Sequence, residues 1–371
     1  MKLRNNQNMG GELAGSIGDL GTFLPYVIGA ITFASLDAAS VFIMFGLMYI
    51  FTAWFYRIPM PVQPMKVISA AIIVQNLTAG EIAASGILMG FILLLIALTG
   101  VIDKLANITS KSVTMGIQCG LGISLALLGV KMIRSDWILG IAIVMIMLVL
   151  LKNRHFPASI VAIVGGTALA FGMHPELSFP SLSWGISLPH LLIPSWHDYF
   201  RGFFLGCVPQ FPLTLTNSVL VTTVLAHELY PDNSERVSNK NLCLTLGIGN
   251  LIGSPFGIIP MCHGSGGLAA HYRFGGRTGY SIAFIGLVLL FVGMFLGTSG
   301  LQLMQIIPQA VLGGMLFYSG IDLIRPIMVK DNNDMFVFAV VVVLSVAENP
   351  AIGFLTGVPL FLILQKGWIS I

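Results

Sequence analysis

Apolar residues fill this chain in long blocks, and the breaks between blocks carry the information. Fourteen apolar segments stand out: 12–33, 37–56, 64–79, 81–101, 109–129, 136–151, 156–173, 198–225, 237–256, 263–273, 278–298, 302–323, 334–347 and 349–367. A helix needs about 20 mostly apolar residues to cross a bilayer, and most segments come close. Segments 64–79 and 263–273 do not. They are short, glycine-rich or headed by proline, and cannot cross alone. The pattern predicts an all-α polytopic membrane protein with about 14 transmembrane segments, two of them half-helices.

Composition agrees. Of 371 residues, 56% are hydrophobic and 9% charged, whereas a soluble domain carries about 25% charged residues. Too few polar side chains exist to coat a soluble globule of this size. The net charge of +3 is small and scattered, which argues against a nucleic-acid partner. Cys119, Cys207, Cys243 and Cys262 form no CxxC pair and lie in or beside apolar stretches. They read as small buried hydrophobes, not as a disulfide framework or a zinc site. The short basic N-terminus has the look of a signal peptide, but Asp19 and Pro25 interrupt its apolar stretch. It is therefore read as a retained first helix.

Charge placement gives an orientation. With the N-terminus in the cytoplasm and strict alternation, the inside receives Lys2, Arg4, Arg57, Lys104, Lys111, Lys152, Arg154, Arg236, Lys240, Arg273, Arg277, Arg325, Lys330 and Lys366. The outside receives Lys131, Arg134 and Arg201, and Lys66 is left at membrane depth. This is a strong positive-inside bias. It supports an even number of spans, both termini in the cytoplasm and residence in the cell (inner) membrane. The longest connection, His174 to Asp198, has four prolines and no lysine or arginine. It fits an external linker lying in the interface, with Trp184 and Trp196 as anchors.

This linker divides the chain into residues 1–195 and 196–371, each with seven spans. The short segment is the third span in both halves. One reads MPVQPMKVISAA (Met60–Ala71) and the other IPMCHGSGGLAA (Ile259–Ala270). Both run from proline through an extended polar step into a helix start. The first spans also match in design, because GDLGTFLP (Gly18–Pro25) and VPQFPLTLTN (Val208–Asn217) each interrupt an apolar helix with a polar residue beside glycine or proline. An odd number of spans per half makes the second half inverted relative to the first. Inverted repeats with interrupted helices near the midplane mark secondary transporters.

Irregular backbone at membrane depth survives only inside protein or beside water. Pro64 suits the first position of a helix. Gly264, Gly266 and Gly267 let backbone approach a ligand. A helix N-terminus offers free N–H groups and about half a positive charge, which makes an anion site without a cationic side chain. Two inverted half-helices would aim their N-termini at one another across a compact dianion. One wall would hold Gln63, Met65 and Lys66, the other His263, Gly264, Ser265 and Gly266. Close packing through small residues is the competing explanation for the glycines.

Several roles stay open. Lys66 can bind the anion, pair with Asp19, or snorkel. His263 can bind substrate or titrate near neutral pH, or be a satisfied structural residue. Asp19, within an apolar span, is a functional candidate by default. It can carry a coupling proton or cap the broken helix. Gln210 stands at the matching break in the second half, and Thr214 and Asn217 follow it on one helical face. All three are candidates for lining the cavity. Soluble-enzyme readings fail: GSGG lacks the Lys-Ser/Thr of a phosphate loop, and His263 and His271 have no carboxylate at metal-ligand spacing. No enzyme activity and no cofactor or metal is expected.

The strings GELAGSIGDLGTFLPYVIGA (Gly11–Ala30), PMPVQPMKVISA (Pro59–Ala70), PQFPLTLTNSVL (Pro209–Leu220) and PMCHGSGGLAAHYRFGGRTG (Pro260–Gly279) closely resemble the molybdate transporter family, a branch related to the SulP sulfate permeases. Both halves take part in the resemblance. It implies a core domain of spans 1–4 and 8–11 and a gate domain of spans 5–7 and 12–14. The substrate would lie between half-helices 3 and 10, facing spans 1 and 8. It further implies that the soluble C-terminal regulatory domain of many sulfate permeases is absent, and that a homodimer is possible. Val67 and Ser69 depart slightly from the expected pocket residues. The leading expectation is a secondary active importer of a tetrahedral divalent oxyanion, molybdate first, coupled to a proton or sodium. A sulfate permease of the same fold is the alternative, and an anion channel is the alternative of another class.

Overall fold

A computed structural model describes residues 9–102, 111–150, 158–174, 183–299, 302, 306–324 and 331–366. Lys2, Arg4, Lys104, Lys152, Arg154, Arg325 and Lys330 of the charge argument lie outside the described residues, as does part of the 174–198 linker.

The molecule is mostly helical, and each predicted segment coincides with a helix or a broken helix. The first half contains α1 (Met9–Ser16), α2 (Leu20–Ala34), α3 (Ala38–Tyr56), α4 (Lys66–Gln75), α5 (Ala79–Thr99), α6 (Lys111–Ile133), α7 (Trp137–Val149) and α8 (Ala158–Met173). The second contains α9 (Trp196–Leu229), α10 (Asn239–Gly253), α11 (Ser265–Arg273), α12 (Gly279–Leu296), α13 (Gln309–Ile324), α14 (Asn332–Ala347) and α15 (Pro350–Gln365). By length and composition, α3, α5, α6, α9 and α12 can each cross a membrane. The first predicted span is broken where the sequence indicated, at Ile17–Asp19 between α1 and α2.

Its expected counterpart is not broken. Through Val208–Asn217 the helix α9 continues, widening to π geometry over Gly202–Cys207 and Thr214–Val221. Pro209 and Pro212 cannot donate N–H groups to the helix ladder, and π widening is a common way for a helix to accommodate such a defect at a functional site. Pro64 also differs from expectation. It pairs in a short strand, and the helix starts two residues later at Lys66.

That strand, β1 (Gln63–Pro64), pairs antiparallel with β2 (Met261–Cys262), with Gln63 opposite Cys262 and Pro64 opposite Met261. Each strand leads directly into a short helix, β1 into α4 and β2 into α11. At 1.5 Å per residue, both helices are about half a bilayer long. The remaining backbone groups find partners nearby. The Met65 N–H donates to the Pro260 carbonyl at 2.7 Å. The Asn250 side chain from α10 accepts from the Met261 N–H at 2.7 Å and donates to its carbonyl at 2.9 Å.

Three helix pairs make the most extensive contacts: α6 with α13, α3 with α12, and α5 with α10. Glycines meet at each crossing. A methyl group added to Gly46 (α3) would lie 2.7 Å from the Gly286 carbonyl oxygen (α12), and one on Gly90 (α5) 2.9 Å from that of Gly247 (α10). On α6, Gly122 approaches Gly320 and Gly129 approaches Gly313 in the same way, each at 2.6 Å. Small residues bring helix backbones into contact where no hydrophobic drive exists between helices in lipid.

Large apolar side chains lie exposed on the outer faces, among them Trp54, Leu98, Ile138 and Val224. An apolar surface of this extent is stable against lipid, not water. Trp184 and Trp196 of the linker are exposed at 68% and 88%, as interface anchors need to be.

Replacing Gly129 by valine should lower the thermal unfolding midpoint in detergent. The added carbon would sit 2.6 Å from the Phe317 backbone nitrogen, and overpacking of this kind costs roughly 1–3 kcal/mol. Gly165→Ala, whose added methyl meets nothing within 4 Å, should leave the midpoint unchanged or raise it.

Candidate functional site

The two half-helices begin close together at the strand pair, and their N-termini are treated differently. On α4 two of the orphan donors are capped from across the molecule, while the Lys66 N–H has no partner among the described residues. The Gln210 side-chain oxygen accepts from the Val67 N–H at 2.8 Å and the Ile68 N–H at 3.3 Å. Its amide nitrogen donates to Thr214 Oγ1 at 2.9 Å. Gln210 and Thr214 are buried, so a residue of α9 does for α4 what a local N-cap does in most helices. Both were expected to line a cavity, and the structure places their side chains on the N-terminus of α4 and on one another. Met65, the residue before α4, is also fully buried.

On α11 the donors remain open. Gly267 and Leu268 donate back to the Gly264 carbonyl at 3.0 and 3.2 Å. Among the described residues, the N–H groups of Ser265 and Gly266 have no partner. Gly266 is exposed and Ser265 partly so. The glycines divide by role. A carbon added to Gly264 would run into Gln63 Oε1, and one on Gly267 would lie 2.8 Å from Pro61 and 2.9 Å from Asp19 Oδ2. One added to Gly266 would meet nothing within 4 Å. Two glycines therefore permit close packing, and the third faces open space. The Ser265 hydroxyl donates to Asn217 Oδ1 at 2.5 Å. Asn217, half-buried on α9, thus stands beside the open helix end.

His263 is engaged by the protein on every side. It is fully buried. Its Nδ1 donates to the Pro61 carbonyl at 2.8 Å, and its Nε2 lies 3.0 Å from Thr245 Oγ1. Its ring stands edge-on to Tyr56, and its carbonyl accepts from Thr222 Oγ1 at 2.8 Å. Both ring nitrogens are used by the protein.

Asp19 is 2% exposed and accepts three hydrogen bonds. Thr22 Oγ1 donates at 2.8 Å and Tyr49 OH at 3.3 Å, and the Gln63 amide is the third donor. Lys66 does not reach Asp19. Its ammonium lies 3.6 Å from Asp322 on α13, with both side chains partly exposed. Asp322 was missed from the sequence, although an acidic residue inside an apolar span is itself a signal. Tyr49 and Thr22 carried no such signal. A carboxylate–imidazole group at Glu81, His197 and Asp198 has metal-like proximity. Glu81 and Asp198 close the capping boxes of α5 and α9, and Arg201 pairs with Glu81 at 2.8 Å.

Broken helices converging on open backbone donors inside an apolar helical protein define a membrane transporter. Solved structures share the architecture. The transmembrane domain of a cyanobacterial bicarbonate transporter superposes with a TM-score of 0.72 at 20% identity, covering 95% of this chain and 98% of that one. The murine solute carrier 26 family member A9 anion transporter, in its inward-facing state, gives 0.73 at 15% identity, covering 100% and 70%. A family described as "Molybdate transporter of MFS superfamily" matches residues 11–125 and 202–323. Molybdate transporter 2 of Arabidopsis thaliana is 32% identical over 98% of this chain and 89% of its own length. The chain belongs to the molybdate transporter family, a family of membrane transporters and not of enzymes.

Gln210→Ala should destabilise the protein by roughly 1–3 kcal/mol, since it strands two buried N–H groups. A thermal unfolding series in detergent, with Thr214→Val as a milder companion, measures this.

Proposed function

We propose that the protein is a secondary active importer of a tetrahedral divalent oxyanion, molybdate, working by alternating access. The unpaired Ser265 and Gly266 N–H groups at the start of α11 carry this reading. They are donors at the positive end of a helix dipole, in an apolar surround, and an oxyanion supplies the acceptors they lack. The Asn217 amide N–H groups and the Lys66 ammonium complete a set of donors that suits an oxyanion and offers nothing to an apolar ligand, and the Ser265 hydroxyl orients that amide by donating to its oxygen. Gln63, Met65, His263, Gly264, Gln210 and Thr214 hold this wall in shape from behind. The molybdate relatives share nearly the whole chain, which favours molybdate over sulfate.

The protein would have fourteen spans in two inverted halves, residues 1–195 and 196–371, with both termini in the cytoplasm and the cell membrane as its site. Two observations support the inversion. An exchange of each span with the one seven later carries the α3·α12 glycine contact onto α10·α5. It also carries the α6·α13 crossing onto itself, with Gly122–Gly320 becoming Gly313–Gly129. Spans 1–4 and 8–11 would form a core carrying both half-helices, and spans 5–7 and 12–14 a gate. The Lys66–Asp322 pair then joins core to gate beside the anion and must loosen as one moves against the other. Asp19 is the candidate for coupling to a proton.

Competitive binding on purified protein tests the substrate. Molybdate and tungstate should bind far more tightly than sulfate, and sulfate binding of equal strength would make this a sulfate permease. In liposomes, uptake should saturate at low substrate and be driven by an imposed proton or sodium gradient, which a channel would not do. Lys66→Ala should weaken molybdate binding by about tenfold or more, the worth of a charge-assisted hydrogen bond. Asp322→Asn should tighten it several-fold by removing a competing negative charge. Unchanged affinity in both variants would refute the role of Lys66.

A further inference from the structure

Among the described residues, His271, on the last turn of α11, is the one fully buried imidazole that the proposed binding wall leaves unused. Its Nδ1 lies 2.7 Å from the Gly15 carbonyl oxygen. A carbonyl only accepts, so Nδ1 carries the ring proton. In the neutral ring, Nε2 is then a bare lone pair. It is buried without a hydrogen-bond partner and faces Asp19 Oδ2 at 3.8 Å. Asp19 Oδ1 is occupied by Thr22 and Gln63, and Oδ2 by Tyr49 alone. Two lone pairs therefore confront one another in a buried site, and the donors around them leave room for one proton.

We infer that Asp19 and His271 together form a proton-binding dyad that loads one proton with each oxyanion. The chemistry is a simple addition. A proton from water bonds to Nε2 or to Oδ2, the other atom accepts it as a hydrogen bond, and the dyad goes from net −1 to neutral. The coupling path is α11 itself. Its N-terminus is the proposed anion site, and His271 follows Ser265 by six residues, about 9 Å along the axis. Gly267, in the first turn, packs on Asp19 Oδ2 closely enough that an added carbon would lie 2.9 Å away. An unprotonated dyad thus places a negative charge directly behind the N-terminus that holds a dianion, and protonation removes it. By linkage, the anion raises proton affinity as much as the proton raises anion affinity.

Other titratable groups surround the pair. Tyr49 from α3 donates to Asp19, and Cys262 from β2 lies within reach of its charge. Lys66 from α4 is engaged by Asp322. At the far end of α11, Glu12 from α1 accepts from the Arg277 and Thr278 N–H groups, and Tyr230 after α9 donates to the Gly276 carbonyl. Arg273, on α11 itself, is exposed. None of these donates to His271 Nε2.

This inference rests on the oxyanion reading, and the test separates the two. Molybdate binding to purified full-length protein is measured by calorimetry across pH. The wild type should lose affinity as pH rises through deprotonation of the dyad, by about tenfold per unit for one linked proton. His271→Gln and Asp19→Asn should each bind molybdate with no such slope, and both should lose gradient-driven uptake while retaining molybdate exchange. A wild-type slope in His271→Gln overturns the dyad. Nitrogen NMR of labelled histidines in the wild type, assigned with His271→Gln, gives a second readout that needs no folded variant at extreme pH. Molybdate should shift the His271 Nε2 signal at constant pH, through a proton bonded to it or a hydrogen bond accepted from Asp19, and an unchanged signal overturns the proposal. If the wild type binds no molybdate, the substrate reading fails. The His271 titration then decides the dyad by itself. A titration displaced in Asp19→Asn supports it, and an identical one overturns it.

Discussion

Two short stretches of extended backbone cross at the centre of this protein, and much of its architecture serves to keep their polar groups bonded. Buried N–H and C=O groups without partners are costly, and no water is available to relieve them in a bilayer. The β1·β2 pairing, the Met65–Pro260 bond and the Asn250 clamp meet that demand. Once it is met, both chains turn from strand into helix at nearly the same depth. Two helix ends therefore lie side by side in the interior, a place where a continuous membrane helix can offer no donors.

The two ends have diverged although their settings are alike. Gln210 occupies two donors of α4, the Val67 and Ile68 N–H groups, so most of that end is closed by protein. Asp19 occupies the corresponding place beside α11. A carboxylate cannot donate, and it turns instead to Thr22, Tyr49, Gln63 and His271. The amide both donates and accepts and so makes a cap, whereas the acid only accepts and leaves the α11 donors to another partner, which is the asymmetry on which the proposed anion site and proton dyad rest.

Charge is placed sparingly, and each buried or half-buried ionic group has a partner across a domain or helix boundary. Lys66 faces Asp322 of α13, Glu81 faces Arg201 of α9, and His271 faces Asp19 across the α1–α2 break. Unpaired charges are expensive in this setting, so these pairs tie together elements that are distant in sequence. The Lys66–Asp322 pair is the most exposed of the interior ones, in keeping with a contact that can open.

The sequence by itself determined the segments, the two half-helices, the break at Asp19 and the family. Hydrophobic length, proline and glycine placement and unusual motifs are local properties, and a linear reading captures them. It also found most of the residues around the site. It could not assign their parts, because burial and hydrogen bonding depend on what the fold brings alongside. Gln210 read as a cavity residue and His263 as either a ligand or a satisfied structural residue, and the hydrogen bonds they make, to Val67, Ile68, Pro61 and Thr245, are supplied by other elements. The break expected near Gln210 became a π-widened helix, because the surrounding core holds the chain helical despite two prolines. Asp322 and His271 gained their meaning only when packing set them opposite Lys66 and Asp19. Which donors stay open to a ligand is decided by what remains after the protein has satisfied itself, and only the tertiary structure decides that remainder.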